Sequence, residues 1–100
     1  VTHLVGLDAR GGRHLLPHTL VGPGGLNQVR RQLRRLVRRG RAEQVCRDVA
    51  RRLAADTGRR HAHIVEVRVV TGRYHFDDYF AGRRDPVAER VDASHAVARA

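Results

Sequence analysis

Residues 26–39, LNQVRRQLRRLVRR, repeat their apolar members at helical spacing. On a helical wheel Leu26, Val29, Leu33, Leu36 and Val37 fall within an arc of about 100°. Arg30, Arg31, Arg34, Arg35, Arg38 and Arg39 cover the other side, with no carboxylate among them. One face needs a core and the other carries bare positive charge. Gly40 suits a left-handed cap at the end of this helix. A second helix is predicted over 41–56, where Val45, Val49 and Leu53 recur every four residues and Ala42, Cys46, Ala50 and Ala54 widen the apolar side. Glu43 with Arg47 and Asp48 with Arg52 stand four apart in the favourable order for helical ion pairs. Gly58 closes the helix. The short joint at Gly40 predicts an antiparallel helical pair, or one bent helix that absorbs the glycine.

The flanking segments alternate instead. Residues 2–16 read as a hairpin, with Leu4, Val5 and Leu7 entering Asp8-Ala9-Arg10-Gly11-Gly12, whose glycines can take positive φ. Pro17 ends the return strand, because it brings no donor to a ladder. Gly22-Pro23-Gly24-Gly25 blocks regular structure and reads as a flexible approach to the helix. It has neither the spacing nor the lysine of a phosphate-binding loop. Residues 62–71 are the clearest strand: Val65, Val67 and Val69 alternate with Glu66 and Arg68, giving one buried and one wet face. Tyr74, Phe76, Tyr79 and Phe80, the four aromatics of the chain, follow within seven residues. Asp85-Pro86 could start a short helix in which Val87 and Val91 share a face, and the end beyond Asp92 reads as frayed. The expected fold is α+β: a small antiparallel sheet of about three strands, made by the hairpin and the long strand, packed on an amphipathic helical pair. Residues 1–82 would form the domain, and 83–100 an extension, either a short helix or disordered.

Composition narrows the function more than it defines it. The length of 100 residues fits one domain, and 41% hydrophobic content with so few aromatics makes its interior aliphatic. A single cysteine excludes an internal disulfide and points to a reducing compartment. There is neither a signal-peptide pattern at the start nor an apolar run long enough to span a bilayer, so a soluble, cytoplasmic chain is expected. All 20 basic residues are arginine against 10 carboxylates, a formal charge of +10. The excess lies entirely in residues 1–60, where 14 arginines face Asp8, Glu43, Asp48 and Asp56. Residues 61–100 are neutral in sum. Charge segregated in this way suggests an anionic partner.

Candidate chemistry beyond charge is thin. His61 and His63 would share a strand face and could begin a metal site, with His75 as the nearest third ligand. Asp77 and Asp78, being adjacent, would point to opposite sides of a strand and not converge. Cys46 falls on the apolar side of its helix, as a small buried hydrophobe rather than a nucleophile, although Arg47 beside it could lower its pKa if it were exposed. The aromatic cluster could stack bases, but it serves equally as the largest core material available. No catalytic residue, metal ligand or cofactor is assigned.

Segments LVGLDARGGRHLL and HIVEVRVVTGRYHFDDYFAG, separated by a proline-containing loop and an amphipathic helical stretch, resemble the extramembrane C-terminal tail of actinobacterial HTTM proteins. Those are membrane proteins related to vitamin K-dependent γ-carboxylase. The resemblance spans residues 5–82 and lies in element order, in the Asp8 to Gly12 turn, in the strand through Val70, in Gly72-Arg73 and in the aromatic-acidic run. It implies an accessory domain beside a membrane. The membrane helices that would hold carboxylase-like chemistry are missing here, so no catalytic residue carries over, and the arginine-rich first helix departs from the family.

The resulting expectation is a non-enzymatic module, cytoplasmic and peripheral to a membrane. Its anion-binding residues would be Arg30, Arg31, Arg34, Arg35, Arg38, Arg39 and Arg41, helped by Arg47, Arg51 and Arg52. Its partner would be anionic lipid, an acidic protein or nucleic acid, and the alternative to the membrane reading is a sequence-nonspecific nucleic-acid binder.

Overall fold

Small side chains let a helix lie close to a sheet, and the second helix uses them. The computed structural model describes residues 1–56, 60–72 and 89–98. Within it, α2 (Ala42–Ala55) buries Ala42, Cys46, Val49, Ala50 and Leu53. These five pack on Ile64, Val67 and Val69 of the long strand in one continuous core, completed by Leu4, Leu16 and Leu33. Ala54, expected to widen this face, is exposed instead. The first helix, α1 (Leu26–Arg38), contributes Val29 and Leu33 as its buried residues. It leans on the first strand, whereas α2 covers the third and fourth strands, and the two helices touch each other little.

The sheet has four antiparallel strands in the order β2-β1-β3-β4, with β1 (Thr2–Asp8), β2 (Arg13–Leu15), β3 (Ile64–Gly72) and β4 (Glu89–Ala96). The predicted hairpin is β1-β2. Asp8 builds its turn: Oδ1 accepts from the amides of Arg10 (2.9 Å) and Gly12 (2.8 Å), and Gly11 takes the positive φ of 82°. After β2, a 3₁₀ turn at His18–Leu20 carries the chain to α1.

Three expectations are corrected. Residues 89–96 are neither helix nor frayed end; they form β4, paired with β3 from Gly72↔Glu89 to Glu66↔Ala96, while Asp85, Pro86 and Val87, where the short helix would begin, lie outside the described residues. The ladder shifts register between Val69 and Val70, where Val69 opposes Ala93 and Val70 opposes Val91, so Asp92 is the extra residue of a bulge. That bulge breaks the alternation by which a strand would have been recognised. A second shift sets Asp8 opposite Ile64 and Leu7 opposite Glu66. Val65 is thereby expelled, at 44% exposed, and Ile64 fills the core in its stead. The face opposite the helices is not wet throughout, because Val5 and Val70 are only 1% and 2% exposed. On that face Glu66 and Arg68 are half-buried and joined at 3.2 Å.

The joint between the helices is set by hydrogen bonds at the end of α1. The amide of Arg41 donates to the Leu36 carbonyl (2.8 Å) and that of Gly40 to the Val37 carbonyl (3.1 Å). With Gly40 at φ 71°, this is a Schellman cap. It ends α1 and makes two separate helices rather than a bent one.

Two glycines test different forces. A Cβ on Gly6 would stand 2.9 Å from Ile64 Cδ1 and 3.0 Å from Leu16 Cδ2, both buried. Gly6→Ala should therefore cost about 1–3 kcal/mol by overpacking. At Gly40 nothing lies within 4 Å of a built Cβ. Gly40→Ala should cost about 1–2 kcal/mol through positive φ alone. Urea denaturation checks both, and a wild-type midpoint for Gly6→Ala would contradict the close approach of β1 and Ile64.

Candidate anion-binding face

The register of α1 is fixed by Val29 and Leu33, which reach into the interior and turn the arginines outward. Arg31, Arg34, Arg35 and Arg38 are exposed, as are Arg39 at the helix end and Arg41 beyond the cap; Arg30 is half-buried at the margin of the row. Leu36 and Val37 are half-buried and Leu26 is exposed, so the apolar arc is engaged mainly through its centre. Among the described residues none of these seven guanidiniums forms an ion pair. Arg30 with Arg34, Arg31 with Arg35 and Arg34 with Arg38 are like charges four residues apart, each pair costing ~0.2–0.5 kcal/mol.

The beginning of α1 does nothing to offset this charge. Gly25 sits at the cap position without a side-chain hydrogen bond, and the first turn holds no acidic residue. The positive end of the helix dipole therefore adds to the arginines rather than being neutralised. Beside it lies an open cleft of about 490 Å³ formed by Val1, Thr2, Asn27, Arg30, Arg31 and Arg34.

The three arginines of α2 are differently placed. Arg47 binds Glu43 at 2.9 Å and Arg51 binds Asp48 at 2.7 Å. Arg52 donates to the carbonyl of Leu20. Asp48 thus pairs three residues on rather than with Arg52 as the spacing suggested. The structure brings the arginines of α1 together as one row, unpaired among the described residues, and commits those of α2 to internal bonds.

A second cleft, of about 260 Å³, opens between α1 and the β1-β2 edge, and nothing in the sequence pointed to it. Leu4, Leu16, Val21, Leu26, Val29 and Leu33 line it, with Arg30 and Thr2 on its wall. Its residues come from three separated segments, so no local pattern could have revealed it. Leu26 is 44% exposed and Leu15, also lining the cleft, 47%.

Other candidates resolve into structure. Cys46 is fully buried, its Sγ donating to the Ala93 carbonyl at 3.4 Å, and burial pushes the thiol pKa up to about 11. His61 and His63 lie in the turn before β3 rather than on it. His63 meets the ring of His14 edge-on at 4.9 Å, and His14 Nε2 lies 2.8 Å from Asp8 Oδ2. Among the described residues no three His, Cys, Asp or Glu side chains are grouped so as to hold a metal ion. Tyr74, His75, Phe76, Asp77, Asp78, Tyr79 and Phe80 fall outside the described residues.

The fold and site define a small α+β protein with a basic helical face, in which no described helix is long and apolar enough to cross a membrane. No family model, curated protein or solved structure matches the chain.

Two measurements follow from these environments. The bond to His14 and the Gly12 and Arg10 amides lower the Asp8 carboxyl from 3.8 to about 2. A depressed folded-state pKa contributes stability above the unfolded value and loses it as pH falls toward the folded one. Asp8→Asn should therefore flatten the fall of stability between pH 4 and pH 2 seen by acid titration. Cys46 should resist a thiol reagent at pH 8 in the folded protein and react promptly in denaturant. Fast labelling of the native state would contradict its burial.

Proposed function

We propose that this chain is a non-enzymatic docking module whose α1 arginine row binds an anionic surface, working beside a membrane or a membrane protein. The observation that carries the reading is the row itself: Arg30, Arg31, Arg34, Arg35, Arg38, Arg39 and Arg41, none ion-paired among the described residues. Repulsion along the helix lowers stability with no structural return, so an external anion is the natural counter-charge. Each arginine near an anionic leaflet contributes up to about 1 kcal/mol. Exposed Leu26, the first residue of α1, adjoins the row and suits the boundary between headgroups and acyl chains. The resemblance to HTTM tails supports the same setting, at a cytoplasmic leaflet. Arg47, Arg51 and Arg52 add long-range field rather than direct contacts.

Co-sedimentation with phosphatidylserine vesicles tests the reading, with phosphatidylcholine vesicles, single-stranded RNA and duplex DNA alongside. Binding should be confined to the anionic vesicles and weaken steadily from about 50 to 300 mM salt. Replacing Arg31, Arg35 and Arg38 together by Gln should lower vesicle affinity by about one to two orders of magnitude. Circular dichroism should show the fold retained. Undiminished binding by that variant would remove the arginine row from the account. Nucleic-acid binding without vesicle binding would replace the membrane partner by a phosphodiester backbone, read without base contacts.

A further inference from the structure

The apolar cleft and the basic cleft are neighbours with a common wall. Arg30 and Thr2 line both of them. On one side lies the slot of about 260 Å³ floored by Leu4, Leu16, Val29 and Leu33 and edged by Val21 and Leu26. On the other lies the basic recess with Asn27, Arg31 and Arg34. Of the α1 arginines, Arg30 alone lines the apolar slot, and it is half-buried where its neighbours are exposed.

The geometry points to a bound lipid: one alkyl chain in the apolar slot, with its phosphate headgroup held by Arg30, Arg31 and Arg34. This rests on the docking reading and deepens it, from attraction to a charged surface to capture of a single anionic lipid. Charge complementarity selects the occupant. An uncharged apolar ligand would leave the guanidiniums at the mouth without a partner, and inorganic phosphate would leave the slot empty. Guanidinium forks match phosphate oxygens bidentately, and several donors converging on one head fix its position. The free amides in the first turn of α1 lie at the same end of the helix and favour negative charge there. Burying the chain in the slot supplies the apolar gain that the arginines alone cannot, since each methylene removed from water adds favourably.

The slot is also built to accept a chain rather than to close over itself. Its outer lip is formed by Leu26, one of the exposed large apolar side chains among the described residues. Its floor, Leu4, Leu16, Val29 and Leu33, is formed by residues 5% exposed or less, so an alkyl chain would pack against buried apolar side chains.

The test is a titration of the full chain with decyl phosphate below its micelle concentration, beside inorganic phosphate and decanol, followed by amide chemical shifts. Decyl phosphate should bind more than about tenfold tighter than either half-ligand. Only the alkylated ligands should shift Leu16, Val21 and Val29. Val21→Trp, which fills the slot, should reduce decyl phosphate to the level of inorganic phosphate, with circular dichroism showing the fold retained. Leu26→Gln, a change at the exposed lip that the fold tolerates, should weaken decyl phosphate in the same direction. Arg30→Gln should weaken decyl phosphate more than decanol. Equal affinities for decyl phosphate and inorganic phosphate would overturn the proposal, as would wild-type affinity in both slot variants. If vesicle docking fails while decyl phosphate still binds in the slot, the docking reading falls and the lipid site stands. Vesicle docking with no preference for the alkyl ligand removes the lipid site and leaves the docking module in place.

Discussion

Contact between the small-residue face of α2 and the centre of β3 is the constraint on which the other elements depend. Ala42, Cys46 and Ala50 allow the helix to approach, and Val49 and Leu53 fill the space against Ile64, Val67 and Val69. A larger residue at any of the three small positions would lift α2 from the sheet. Cys46 also reaches β4 through the Ala93 carbonyl, so one helix holds two strands in place. Once α2 is seated, the Schellman cap at Gly40 fixes where α1 departs, and Leu33 draws α1 onto β1. The arginine row is displayed as a result of that packing. It is not itself a source of stability.

The same chain treats its charges in two ways. On α2, carboxylates stand within one turn of arginines and the pairs close internally. On β4, Asp92 is held by Arg90 at 2.7 Å and by the Thr71 hydroxyl at 2.6 Å, with Thr2 continuing the polar chain from Thr71. On α1 there is no carboxylate to close any pair. Two helices of one sequence, three residues apart, thus differ in whether their surface is satisfied. A general arginine bias would act on both helices, so the difference lies in where the carboxylates stand.

Much of this architecture was legible because it is local. Periodicity placed both helices almost to their ends, and Gly40 marked their joint, since only the backbone geometry of a helix end asks for glycine there. The arginine row could be read because its lack of carboxylates is visible in sequence. Strand β4 could not: the Asp92 bulge interrupts its alternation, and small residues such as Ala93 and Ser94 give little hydrophobic signal. The exchange of Ile64 for Val65 is hidden for a related reason, because a register shift is a property of two strands and not of either one. The apolar slot joins β1, the segment after β2, and α1, so its existence depends on tertiary contact alone.

The crowding of like charge on α1 has a consequence for how the molecule responds to its surroundings. Ions in solution screen the arginines from one another as well as from a partner. Raising ionic strength therefore relieves the repulsion within the helix, while it would weaken the proposed hold on an anionic surface. For the docking proposed above, stability and affinity would run in opposite directions with salt, the partner itself serving as counterion at low ionic strength.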